Sequence, residues 1–144
     1  MPAELGDALQ EASRRGAKIA SVCTGAFVLA DAGLLDGCRA MTHWMYARAQ
    51  ADRFSAVEVE AGVLYVVDAS IATSAGTATG LDLWGELVRH DHGTAVASEL
   101  ARRLVVPRTA KMARRSTFRR RCPRCRTLLW RRCSTGRGRG STRR

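Results

Sequence analysis

The sequence predicts a layered α/β fold. Three observations lead there. A short apolar run, KIASV, passes directly into a helical stretch at Cys23-Thr24-Gly25. Downstream, β-branched runs alternate with amphipathic segments, and glycines punctuate the helical stretches.

Taken in order, residues 3–15 predict a helix with Leu5, Ala8, Leu9 and Ala12 on one stripe, ended by Gly16. Lys18–Val22 is a strand, and CTGAFVLADAG turns helical and stops at Gly33, a natural C-terminal cap. Cys38–Thr42 forms another strand and Trp44–Ala51 a short helix. Val57–Val59 and Val63–Val67 are further strands, and Asp68-Ala69-Ser70 turns the chain into Ile71–Thr73. Gly76 opens a helix to about Arg89, with Leu81, Leu83, Trp84, Leu87 and Val88 on its buried side. Asp91-His92-Gly93 breaks it, and Thr94–Leu104 is a second helix, capped by Thr94 or Gly93. There is one clear strand–helix crossover, fewer than a doubly wound domain usually carries.

Charge divides the 144 residues into two blocks. Residues 1–106 hold nine Lys/Arg against all thirteen Asp/Glu, a net of −4; residues 107–144 hold fifteen Lys/Arg and no acid. The second block has no hydrophobic period and one apolar triplet, Leu128-Leu129-Trp130. It is read as a disordered basic tail, because it cannot bury enough surface to offset the entropy of ordering. Its charge suits non-specific contact with nucleic-acid phosphates. No apolar run reaches the roughly 20 residues that cross a bilayer, so no membrane partner is expected. The N-terminus lacks the basic start and apolar core of a signal peptide. The default compartment is the cytoplasm, where five cysteines invite a catalytic or metal reading before a disulfide one. Cys122-Pro123-Arg124-Cys125 with Cys133 resembles part of a zinc site, but the tail offers three cysteines and no histidine, one ligand fewer than a structural zinc wants. No metal and no cofactor is expected.

The chemistry concentrates at Ile19–Ala26. A strand that meets a helix in a tight turn strains its turn residue and needs small neighbours, which Gly25 and Ala26 supply. Cys23 then projects into the cleft at the carboxyl edge of the sheet, where α/β ligands bind. It faces the positive end of the following helix, and the Thr24 amide is placed to stabilise an oxyanion. The competing reading makes Cys23 a small buried hydrophobe. His43, at a strand end beside Trp44, is the candidate partner of the nucleophile, or else a structural histidine bonded to a loop carbonyl. His90 and His92 sit at a helix end and are read as structural. Ser74, Gly76 and Thr77 lie between a strand and a helix N-terminus, either an anion site or a plain capped turn. With Thr24, Gly25 and Trp44 they complete the candidate binding set.

SVCTGAFVLADAGLLDG, MTHW, TSAGTATGLDLWGELVRHDHG and ARRLVVP together resemble the ThiJ/PfpI, or type 1 glutamine amidotransferase-like, domain over about residues 3–107. More narrowly they resemble the branch at the N-terminus of AraC-family regulators. The resemblance implies a partial flavodoxin-like (Rossmann-like) three-layer sandwich, with Cys23 on a nucleophile elbow and Thr24 beside the oxyanion site. It also implies an unidentified small-molecule ligand and a homodimer in the intact family.

Two departures follow. The resemblance starts in mid-domain, so the acid that faces the elbow cysteine in enzymatic relatives has no match, and no complete triad can be assigned. Past VVP, the expected linker and helix-turn-helix domain are replaced by the basic tail. One shifted frame of a GC-rich back-translation of residues 107–118 reads like that linker, so the tail is read as a frameshift product. DNA contact is expected only through the missing domain or non-specifically through the tail. The first reading is therefore a fragment of the ligand-sensing, amidase-like domain of an AraC-family regulator, without enzyme activity; the alternative is a cysteine enzyme, an amidase or isonitrile hydratase-like protein using Cys23.

Overall fold

The computed structural model describes residues 1–104 and 116–119. The expected disordered tail lies otherwise outside the described residues, together with its three cysteines. Helix α1 (Ala3–Arg14) carries Glu4 in its first turn and Arg14 in its last, both favourable to the helix dipole. Leu9 packs inward, whereas Leu5 stays 44% exposed and leaves the expected stripe incomplete. Strand β1 (Ile19–Val22) runs through Cys23 into α2 (Gly25–Asp31). Then come β2 (Arg39–Ala40), a single 3-10 turn at Trp44–Tyr46, α3 (Ala47–Arg53) and β3 (Glu58–Val59). The expected helix from Trp44 is thus split, its first turn tighter than α. β4 (Tyr65–Asp68) and β5 (Ile71–Ser74) form a hairpin across Ala69-Ser70, with Ala69 at φ 54°.

Among the described residues the main sheet runs β1-β5-β4-β6, and β2 pairs with β3 separately. β1 and β5 are parallel, with Ile19 opposite Ile71 and Val22 opposite Ser74; β4 is antiparallel to β5. The last strand, β6 (Ser116–Arg119), lies parallel to β4 inside the stretch that sequence reads as tail.

Alternation along the strands sorts side chains into two faces. Ile19 and Ile71 join Ala26, Leu29, Ala30 and Leu35 on the α2 side. Ala20, Ala72, Tyr65 and Val67 meet Leu83 and Leu87 of α4 (Thr77–Arg103) on the other. Helices therefore cover both faces, which is the three-layer sandwich. A register slip of one residue would exchange the two faces, so the apolar pattern fixes the pairing.

On α4 the sheet-facing positions are Gly80, Leu83 and Leu87. A Cβ at Gly80 would stand 3.1 Å from Cγ2 of Val22, so the bare glycine lets helix and strand approach. Leu81 and Trp84, expected on the buried side, are each 51% exposed. They sit about one 100° helical step from the sheet-facing row. α4 bends at Gly93, whose φ of 86° suits a residue without Cβ, so the expected break falls where the sequence placed it. Just before the bend, Asp91 bonds to Lys18 at the foot of β1 and lies 3.0 Å from Nδ1 of His90. Burial works against ionisation of Asp91, but the bonds to Lys18 and His90 outweigh it and hold its carboxyl below the ordinary carboxylate range.

Leu83 is fully buried between α4 and the sheet. Leu83→Ala is expected to cost about 2–5 kcal/mol in denaturant unfolding. Asp91 has a depressed folded-state pKa, so its contribution is present above the unfolded carboxylate pKa and is lost as pH falls through the folded value. Asp91→Asn should lower stability at neutral pH by no more than about 1 kcal/mol. In melts run down an acid series, that difference from the parent should close.

Candidate functional site: a strained cysteine at the strand–helix corner

Cys23 has φ 57°, the left-handed region that costs a residue with a Cβ about 1–2 kcal/mol. Both of its backbone polar groups are fastened. Its N–H donates to the Ser74 carbonyl at 2.8 Å, continuing the β1–β5 ladder past the end of the strand. Its carbonyl accepts from Oγ1 of Thr42 at 3.0 Å. Thr24 serves as N-cap of α2, and Ala26 is fully buried behind it. A Cβ at Gly25 would lie 3.3 Å from Cβ of Ser21, which explains the small residue there. The Cys23 side chain is half-buried.

His43 follows Thr42 and caps the turn at Trp44–Tyr46, where its Nδ1 accepts from the Met45 amide at 3.4 Å. Its ring lies 5.6 Å from that of Trp44 and 5.9 Å from that of Tyr46. Trp44 is 67% exposed. Among the described residues, no hydrogen bond joins His43 to Cys23 and no ion pair joins it to a carboxylate. The neighbouring threonine reaches the elbow; the histidine itself is turned into its own loop.

Ser74 is fully buried at the end of β5, and its Oγ donates to the Ser21 carbonyl at 3.5 Å. Gly76, the extended N-cap of α4, gives its N–H to Oγ1 of Thr79 at 2.8 Å, and that hydroxyl returns a bond to the Gly76 carbonyl. The Gly76 amide is therefore engaged within its own turn. Thr77 opens the helix and is exposed. The structure thus brings Cys23, Thr24, Gly25 and Ser74 to one corner, with Gly76 and Thr77 beside it at the same edge of the sheet.

Sequence reasoning overlooked Thr42, which pins the elbow carbonyl, and Thr79, which closes the turn after β5. Thr42 was visible as the polar residue between a strand and His43. Ser21 Oγ is buried with no hydrogen-bond partner among the described residues. Cys38 is buried, with its Sγ 3.8 Å from the Leu34 and Asp36 carbonyls, away from the elbow. The described residues contain no His/Cys/Asp/Glu cluster able to hold a metal, and no described helix is long and apolar enough to cross a membrane.

A half-buried cysteine in left-handed backbone, between a strand and a helix of a sheet covered on both faces, defines an elbow-cysteine α/β domain. Residues 1–90 match the DJ-1/PfpI family, and the chain belongs to it. It is 38% identical over 104 residues to the HTH-type transcriptional regulator ArgR of Pseudomonas aeruginosa, covering 72% of this chain and 31% of ArgR. It is 36% identical to the isonitrile hydratase of Pseudomonas putida, over 65% of this chain and 42% of that enzyme. The crystal structure of an AraC family transcriptional regulator from Pseudomonas putida superposes with a TM-score of 0.63 at 22% identity, covering 70% of this chain and 54% of that one. The chain thus spans about a third of the length of ArgR and about half of the solved regulator.

Two stability measurements check the corner. Glycine normally costs about 0.5–1 kcal/mol relative to alanine, but at φ 57° the order should invert. Cys23→Gly is expected to be the more stable of the pair Cys23→Gly and Cys23→Ala in urea titrations. Thr42→Val should cost about 1–2 kcal/mol, because the Cys23 carbonyl loses its partner.

Proposed function

We propose that this chain is a fragment of the ligand-sensing, amidase-like domain of an AraC-type transcriptional regulator, working in the cytoplasm. The observation that carries this reading is a built elbow without its base. The strained turn at Cys23 is fastened at both backbone groups, while His43 is bonded into its own loop. For His43 to work as general base, it would have to stand within hydrogen-bond reach of Cys23. A binding corner needs only fixed geometry, and the exposed Thr24 and Thr77 near the half-buried Cys23, over the buried Ser74 that braces the turn, supply one face of a small-molecule site, with Trp44 exposed on the loop that follows Thr42. Similarity to the regulator ArgR and to the fold of an AraC family regulator supports the same assignment. In such a protein the ligand would bias a DNA-binding half that the described residues do not include.

The competing reading is a cysteine enzyme, favoured by the likeness to an isonitrile hydratase and by Cys23 itself. The two separate in one pair of assays. A thermal-shift screen of small polar metabolites should yield a compound whose stabilisation grows with the logarithm of its concentration and is reduced by Trp44→Ala. An isonitrile, incubated with the same protein, should be left unconverted. Conversion that disappears in Cys23→Ser would overturn the sensing assignment in favour of the enzyme.

A further inference from the structure

α4 changes character at Gly93. Before the bend, Gly80, Leu83 and Leu87 pack on the sheet. Beyond it, no residue of 94–104 is buried, and none joins a core cluster of the described residues. Glu99 pairs with Arg102 and Arg103, inside the segment itself. The direction of residues 94–104 is therefore set at the bend rather than along their length.

Gly93 stands at φ 86° and ψ 169°, a region essentially reserved for glycine. A Cβ there would meet open space, so the position requires backbone freedom and not room. The same glycine can also adopt helical angles, which would run the two halves into one straight helix. Two discrete arrangements of the outer half thus meet at one residue, as at a hinge.

Asp91 holds the base of this bend. An acid in the last turn of a helical half sits at the unfavourable end of the dipole. It is compensated by Lys18, the residue before β1, and by His90, whose Nδ1 is 3.0 Å away. The Lys18–Asp91 bond joins the last turn before the bend to the strand that ends at Cys23. From Lys18 to Cys23 is roughly 17 Å of extended backbone. Bonds from Ile19 to Ser70 and from Cys23 to Ser74 keep that strand in one register on β5, so its two ends move together.

We propose that Lys18, Asp91 and Gly93 form a conformational relay between the Cys23 corner and residues 94–104. The relay rests on the reading of the corner as a ligand site. An occupant that displaces β1 draws Lys18 and with it Asp91, and the change is taken up at Gly93. The occupant acts only through the difference in its affinity for the two arrangements. Residues 94–103 make roughly 15 Å of helix, so a rotation of about 10° at the bend moves the far end about 3 Å.

Hydrogen–deuterium exchange of the full-length chain tests this, with iodoacetamide capping the Cys23 sulfur as the occupant of the corner. Cys23→Ser, treated alike, controls for the other cysteines. Alkylation of the parent should change exchange across 94–104 at least threefold. Lys18→Met should abolish that response, Lys18→Arg should keep it, and the swap Lys18→Asp with Asp91→Lys should restore it. Gly93→Ala, which closes the observed angles to the backbone, should silence the response with Lys18 intact. Lys18 lies outside the core, so the far-UV spectrum of Lys18→Met should match the parent. A response of equal size in parent and Lys18→Met, or none in the parent, would overturn the relay. Failure of every small molecule to bind the corner would instead remove the sensing assignment and leave these exchange rates standing.

Discussion

The rest of the structure depends on how the backbone of Cys23 is held in a conformation it would not adopt alone. A parallel ladder between β1 and β5 carries one bond past the end of the strand, so the Ser74 carbonyl meets the Cys23 amide. Thr42, arriving from the segment after β2, takes the carbonyl on the other side of the same residue. With both groups fastened, the chain must leave the strand in left-handed geometry and enter α2 at once. That entry angle seats Ala26 and Leu29 on the Ile19–Ile71 face of the sheet, so the corner and the core under it are one arrangement. Strain of about 1–2 kcal/mol persists only where the surroundings over-determine it.

What surrounds the corner bears on its use. The polar groups nearest to it are neutral hydroxyls and backbone amides, and several are already spoken for. Thr79 closes the turn at Gly76, Ser74 bonds back to Ser21, and His43 bonds forward to Met45. Such a network holds shape more readily than it moves protons. Three side chains at the adjoining turn, Trp44, Met45 and Tyr46, present apolar surface outward.

Much of this was legible in the amino-acid sequence, for reasons that can be named. The elbow was visible because a strand-to-helix corner demands small residues after the turn, and Gly25-Ala26 meets that demand locally. The bend at Gly93 was visible because glycine in a helical pattern marks a place where the pattern stops. The rest depends on partners distant in sequence. Leu81 and Trp84 look buried by composition, yet Gly80 sets the phase of α4, because only a glycine lets the helix approach Val22 so closely. Thr42 looks incidental until the fold brings it to a carbonyl nineteen residues away. The strand at 116–119 pairs inside an arginine-rich stretch whose local pattern offers no alternation to announce it. For His43, residue type and position in a loop suggested chemistry; only coordinates show which way its ring nitrogen is used.

One strand serves two ends. β1 holds Cys23 at its carboxyl end, with Lys18 tied to Asp91 at its foot. Four residues are too few for these roles to be independent. The ladder that ties Ile19 to Ser70 and Cys23 to Ser74 fixes the strand and presents the elbow with the same set of bonds, so a shift of β1 along β5 would move the corner with it.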